Sequence, residues 1–150
     1  MTSVLVDTCI LVYAYEKSDM EKHVAAKEAI RLLLEEGNAA VSVQNLAEFS
    51  RVLSEKSKTP VSYGEARKHI SEIASVFNVI SYGAATVDAA LSICSGGGTH
   101  FFDALLAATA EENGIYEIIT ENVKDFKGMH SIKASSPFAK KLDPSKRARP

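Results

Sequence analysis

The chain has 150 residues, 46% of them apolar and 24% charged, with no Trp, two Cys and a formal charge of −2. That is the length of one ordinary domain, enough to bury a core without disulfide or metal staples, and the composition excludes wholesale disorder, a collagen-like repeat and a coiled coil. The longest unbroken apolar run, Cys9 to Tyr15, has seven residues, against about 20 for a membrane-spanning helix.

Val4-Leu5-Val6, ending at Asp7, reads as a buried strand. Cys9 to Tyr15 begins a helix, and Glu21 to Glu36 forms another, with Val24, Ala25, Ala29, Leu32 and Leu33 at helical spacing and Gly37-Asn38 as its stop. Ala39 to Val43 is a second buried strand. A helix over Asn45–Glu55 follows, with Leu46, Phe49 and Leu53 on one stripe. After a linker at Lys56–Pro60, Ser62 starts a helix running to about Val76. Val79-Ile80 suggests a strand, and about Thr86 to Cys94 a helix. Ser95-Gly96-Gly97-Gly98 is a loop feeding a helix from His100 to Asn113, closed by Gly114. Glu117 to Thr120 is a strand, Asn122 to Phe126 a short helical turn, and Ser131 to Lys133 a last strand. Strands alternating with helices predict an α/β fold: a three-layer sandwich with a central parallel β-sheet and helices on both faces.

From Lys133 onward there are six positive side chains and one negative, whereas residues 1–132 carry a net −7. The expected organisation is a folded unit over residues 1–133 and a basic, flexible tail over 134–150, where Pro137, Pro144 and Pro150 interrupt the chain. An acidic body with a basic end is not the charge pattern of a simple nucleic-acid-coating protein. Cys9 and Cys94 have no Cys-x-x-Cys partner, and the opening Met-Thr-Ser-Val-Leu-Val-Asp does not resemble a secretory leader; a reduced, cytoplasmic protein with no membrane association is the expectation.

In parallel α/β sheets the ligand crevice lies beyond the carboxyl ends of the strands. Four acids fall there: Asp7 at the end of the first strand, Glu48 in the first turn of the helix after the second, Asp103 in the first turn after the Gly loop, and Asp125 after the strand ending at Thr120. Singly, each has a structural explanation. Glu48 follows Asn45, and Asp125 follows Asn122, at capping-box spacing; Asp7 can cap a helix, and Asp103 can answer a helix dipole worth ~0.3–1 kcal/mol. Together they exceed what capping needs, since Ser, Thr or Asn caps as well. At ~5 Å and an effective dielectric near 20, two such charges repel by roughly 3 kcal/mol, so a cluster requires protons or a cation. An all-oxygen carboxylate site suits Mg²⁺ or Mn²⁺, whereas Zn²⁺ prefers His or Cys; His23, His69, His100 and His130 show no paired spacing and are read as non-ligands.

Val4-Leu-Val-Asp-Thr-Cys-Ile-Leu-Val-Tyr13 resembles the opening strand and first acid of PIN-domain nucleases, Ser42-Val-Gln-Asn-Leu-Ala-Glu-Phe49 their second block, Phe102-Asp-Ala-Leu-Leu-Ala-Ala-Thr-Ala-Glu111 with Gly114 their third, and Thr120-Glu-Asn-Val-Lys-Asp-Phe126 their fourth. The single-domain length resembles the VapC-type toxins of toxin–antitoxin pairs. The resemblance implies a PIN-like parallel-sheet fold, a Mg²⁺- or Mn²⁺-dependent endoribonuclease acting on an RNA substrate, a cognate antitoxin that blocks the site, and a homodimer. Carried over residue by residue, Asp7, Glu48 and Asp103 match the family's best-placed acids and Asp125 the fourth, some relatives having an acid at the position of Asn122. Thr120 matches a strand-end hydroxyl. Cys9 departs from the Asn or Ser usual two residues after the first acid.

The expected chemistry is metal-assisted phosphodiester hydrolysis, with Asp7 and Asp103 as principal ligands, Glu48 and Asp125 as further ligands, Thr120 and Asn122 supporting, and Arg51 and Lys124 positioning phosphates. The alternatives are an RNA-processing nuclease without an antitoxin, and a domain that binds RNA or protein without cutting. A haloacid-dehalogenase-type phosphatase needs a second Asp where Cys9 stands.

Overall fold

Residue alternation along very short strands sets the layering. In the computed structural model, which describes residues 2–138, five strands form one sheet: β1 (Val4–Val6), β2 (Ala39–Ser42), β3 (Asn78–Ile80), β4 (Glu117–Ile119) and β5 (Lys133–Ser135). Their spatial order is β3-β2-β1-β4-β5 and every pairing is parallel, with Leu5 opposite Ala40 and Ile118. Successive side chains point to opposite faces. Leu5, Ala40 and Ile118 therefore join one core with Leu106, Ala107, Ala110 and Phe126, while Val6, Val41 and Ile119 join another with Ile10, Leu11, Phe49 and Ile73.

The first face is covered by α6 (Phe101–Glu112), against which α5 (Ala84–Ser95) packs through Ala90, Ala104 and Leu105. The second is covered by α1 (Thr8–Tyr15), α2 (Met20–Glu35), α3 (Val43–Arg51) and α4 (Tyr63–Val76). This is the three-layer α/β sandwich expected from the sequence. Among the described residues no helix is long and apolar enough to cross a membrane.

Four local expectations are corrected. The buried face of α2 carries His23 and Ala26, with Ile30, Leu33 and Leu34 packed against the core, while Val24 and Leu32 are exposed. Apolar residues occur on several faces of this helix, so periodicity alone does not select one. The His23 ring is accommodated in the core because Nδ1 lies 2.7 Å from the Tyr13 carbonyl oxygen. The second strand ends one residue early and α3 begins at Val43, because Ser42 and Asn45 form the capping box: Ser42 Oγ accepts from Asn45 N (3.0 Å) and Asn45 Oδ1 accepts from Ser42 N (3.1 Å). The stripe through Leu46, Phe49 and Leu53 then continues through a π-helical turn, Val52–Lys56.

The fifth helix starts at Ala84, two residues before the expected Thr86, whose Oγ1 accepts from Gly83 N (3.0 Å) and donates to Glu112 (2.6 Å). The last strand is Lys133–Ser135, so Ala134 and Ser135 belong to the sheet and not to a tail; ladder pairing of Ala134 with Ile118 fixes them. The remainder of the expected flexible tail, residues 139–150, lies outside the described residues.

Gly114 has φ +68° at the end of α6, the left-handed closure anticipated from its position. Phe49 is fully buried directly after Glu48. Phe49→Ala should destabilise the fold by about 3–5 kcal/mol, read as a lowered urea midpoint at unchanged slope.

Candidate active site

Because all five strands are parallel, Asp7, Ser42 and Thr120 emerge at the same rim of the sheet. Asp7 is the N-cap of α1, with Oδ1 accepting from Thr8 N (2.8 Å). Its other oxygen, Oδ2, accepts from Thr120 Oγ1 (2.8 Å), and Asn45 Nδ2 lies 3.5 Å from Oδ1. The capping explanation of Asp7 therefore holds, but it engages only part of one carboxylate.

Glu48 lies in the second turn of α3, the helix having begun at Val43, and takes no part in the cap. Its Oε2 accepts from Thr8 Oγ1 (2.9 Å) and its Oε1 from Gln44 Nε2 (3.0 Å). Asp103 is in the first turn of α6, as expected. Asp125 belongs to a 3-10 turn, Val123–Phe126, whose start at Asn122 has no side-chain cap, so the capping-box explanation fails there. Asn122 is exposed; its backbone N–H donates to Thr120 Oγ1 (3.1 Å). Among the described residues the carboxyls of Asp103 and Asp125 receive no hydrogen bond, so neither is occupied by a structural role.

Electrostatics tie the four acids into one group. Burial pushes the Asp7 carboxyl above its ordinary value; the bonds from Thr120 and Thr8 oppose this, while the charges of Glu48 and Asp125 add to it. Asp103 is pushed up to about 6, by burial first, then by Asp125 and Asp7, with His100 opposing and Glu48 contributing. Four chain segments thus deliver carboxylates close enough for the charges of Glu48 and Asp125 to bear on Asp7, and those of Asp125, Asp7 and Glu48 on Asp103.

Three residues in this frame were not read from the sequence as part of the site, Asn45 having been read only as a cap. Asn45 is fully buried and Thr8 and Gln44 nearly so. Thr8 Oγ1 accepts from Asn45 Nδ2 (3.1 Å) while donating to Glu48, which makes it a relay between the two acid-bearing helices α1 and α3. Gln44 Nε2 bonds both Glu48 and the carbonyl of Phe102 (3.1 Å), the residue before Asp103. The spacing of Asn45 to Glu48 pointed to a cap; the useful signal was Ser42, three residues before Asn45, which shifts the cap and releases Glu48.

Cys9 supplies no strong donor to Asp7, its Sγ lying 4.0 Å from Oδ2. Instead Sγ accepts the backbone N–H of Glu121 (3.4 Å), and burial, with the Asp7 charge, pushes the thiol up to about 11, so it stays protonated. Thr120 and Thr8 supply the donors to Asp7. Of the two candidate phosphate-positioning cations, Arg51 is paired with Glu55 (3.5 Å) and lines a groove with Tyr63 and Arg67 of α4, whereas Lys124 is exposed beside Asp125.

The family model for the PIN domain matches residues 4–129, and the chain belongs to that family. No curated protein sequence matches it. Among solved structures, it is similar to a toxin–antitoxin complex from Klebsiella pneumoniae (24% identity, TM-score 0.66, covering 91% of this chain and 98% of that one). It is similar also to VapBC2 from Rickettsia felis bound to a promoter DNA fragment (20%, 0.67, 90% and 98%). A third similar structure is the sarcin–ricin loop cleaving toxin VapC20 of Mycobacterium tuberculosis (18%, 0.61, 86% and 95%). At these identities the likeness is one of fold.

Two outcomes are expected. Asp103 binds its proton more tightly in the fold (pKa about 6) than in the unfolded chain (3.8), so its charge costs stability that accrues as pH rises between those values. Asp103→Asn should therefore raise the melting temperature most at pH 7.5, and the gain should fade as pH is lowered towards 4 in a thermal-melt series. Thr8→Val, which leaves Asn45 Nδ2 with only its long contact to Asp7 Oδ1 (3.5 Å) and removes a donor from Glu48, should lower stability by about 1–3 kcal/mol in denaturant unfolding.

Proposed function

We propose that this PIN domain is a metal-dependent endoribonuclease, the toxin of a toxin–antitoxin pair. What supports the reading is the charge of Glu48 and Asp125 on Asp7, and of Asp125, Asp7 and Glu48 on Asp103, from four separate segments of the chain. Among the described residues no Lys or Arg is paired with any of the four acids, which favours a ligand of opposite charge. Two similar structures, a toxin–antitoxin complex and a toxin that cleaves the sarcin–ricin loop, support the choice of RNA as substrate and of an antitoxin as partner. The same reading makes the working form a homodimer.

The donor set fits a hard divalent cation. Its atoms are carboxylate oxygens, and among the described residues no three His, Cys, Asp or Glu side chains converge tightly enough to enclose an ion by themselves. Mg²⁺ suits that openness, since it keeps several waters and takes one or two carboxylates. Asp7 and Asp103 are the assigned ligands, with Glu48 and Asp125 acting directly or through water. Bound there, the ion supplies Lewis acidity and a water of lowered pKa. The chain's own residues orient the reaction: Thr120 and Thr8 fix the two oxygens of Asp7, and Thr8 and Gln44 aim Glu48.

Saturating Mg²⁺ or Mn²⁺, about a hundredfold above its dissociation constant, should add ~2.7 kcal/mol of stability, read as a rise in melting temperature. The same ions should support cleavage of a single-stranded RNA that Asp103→Asn abolishes. A flat thermal response to both ions removes the metal from the reading, and wild-type turnover by Asp103→Asn removes that residue's catalytic role.

A further inference from the structure

The acidic rim raises a problem for any polyanionic substrate. Over residues 1–138 acidic side chains outnumber basic ones 18 to 12, and several of the cations are paired: Lys22 with Glu121, and Arg31 with Glu28 and Glu35. A phosphate chain that reaches Asp7 and Glu48 needs positive charge from the surface around them. Two arginines meet at a groove between α3 and α4.

This groove encloses about 640 Å³, within the ~300–1,000 Å³ range of small-ligand sites. Helical spacing builds its walls. On α4, Tyr63 and Arg67 stand four residues apart, as do Ala66, Ile70 and Ala74, so one side of that helix lines the groove. Opposite stand Arg51 of α3 and Ser54 and Glu55 of the π-helical turn. Arg51 follows Glu48 by three residues and shares its side of α3, which joins the groove to the acid rim.

The floor is apolar and the mouth is cationic. Ala66 is buried and Ile70 half-buried, whereas Tyr63 is 71% exposed, leaving its ring open to a ligand. Arg67 has no acidic partner among the described residues. Arg51 holds Glu55 at 3.5 Å in an exposed pair, which contributes little and yields to an incoming phosphate. Ser54 Oγ has no hydrogen-bond partner among the described residues, so the wall also carries a polar atom with unused bonding capacity. An aromatic face and two guanidiniums beside an apolar floor suit single-stranded nucleic acid. Its unpaired bases stack on aromatic rings, and the planar guanidinium fork matches phosphate oxygens.

We infer that the α3–α4 groove binds a nucleotide of single-stranded RNA outside the scissile bond, its base stacked on Tyr63 and its flanking phosphates on Arg51 and Arg67. The inference rests on the endoribonuclease reading above and adds to it a track by which the strand leaves the acid rim. A duplex, whose bases are stacked on one another, does not use it.

The test compares the full chain with Tyr63→Ala, Tyr63→Phe and the double variant Arg51→Gln/Arg67→Gln, all at exposed positions. Each is measured by binding of a labelled 12-nucleotide single-stranded RNA in EDTA, and by cleavage with Mg²⁺ or Mn²⁺ of the 12-mer and of a dinucleotide too short to reach the groove. Tyr63→Ala should weaken 12-mer binding and raise its KM about tenfold at unchanged kcat, and Tyr63→Phe, which keeps the ring, should restore both. The double arginine variant should bind the 12-mer more weakly at low salt, with a salt slope shallower by about 1.4 for two lost phosphate contacts. On the dinucleotide all should match the intact chain. Unchanged 12-mer binding in the variants, no binding by the intact chain, equal losses on both substrates, or Tyr63→Phe as weak as Tyr63→Ala would each overturn the groove. So would a change of oligomeric state in ultracentrifugation that accompanies the loss, which would make this face an interface between copies. If the intact chain binds the 12-mer but cleaves neither RNA, the nuclease reading fails, and the EDTA binding comparison still decides the groove.

Discussion

Like-charge repulsion at one rim of a parallel sheet is the constraint around which this molecule is arranged. Four carboxylates there act so that Asp7 and Asp103 bind their protons more tightly, and the fold holds the acids in place. The holding is done by neutral groups: Thr120, Thr8, Asn45 and Gln44, all buried, point hydroxyl and amide donors at Asp7 and Glu48. Each is itself fixed by backbone structure. Thr120 is pinned to Ser135, and Asn45 is locked into the cap of α3 by Ser42. Neutral donors fix the oxygens while leaving the charge uncancelled, which an Arg or Lys in the same place would not do.

The acids divide into two kinds. Asp7 and Glu48 are held rigidly by hydrogen bonds, whereas Asp103 and Asp125 have charge and position but no such bonds among the described residues. Asp103 also owes part of its raised pKa to the other three. Under the proposed function, a divalent ion placed among them would exchange repulsion for attraction, so that metal binding would also relieve the repulsion. Cys9 fits the same division. Kept protonated, and receiving the N–H of Glu121, it packs beside Asp7 without altering its charge.

Much of this was legible in the sequence. The strand at Val4–Val6, the one expected over Glu117–Thr120 (Glu117–Ile119 in the fold), the α/β alternation, and the placing of Asp7 at a strand end and Asp103 in a first helical turn follow from apolar runs, glycine stops and the rule that ligands sit at strand ends. Two of the misreadings share one cause. The buried face of α2 and the membership of Ala134 in the sheet depend on a neighbour outside the element, the Tyr13 carbonyl for His23 and β4 for Ala134, whereas the starts of α3 and α5 are set by local caps, Ser42–Asn45 and Gly83–Thr86. Local periodicity contains no information about such neighbours.

The same distinction separates the two halves of the site. Sequence by itself determined which acids stand at strand ends and helix starts, because those positions are set by local hydrophobic pattern and turn chemistry. Only the tertiary structure decided that Thr8 joins Asn45 to Glu48 across 37 and 40 residues, that Gln44 reaches Phe102, and that the Phe138 ring packs edge-on against Tyr13. Those contacts come from sheet register and helix packing, which position side chains to within a hydrogen bond's length and which no spacing rule along one chain contains.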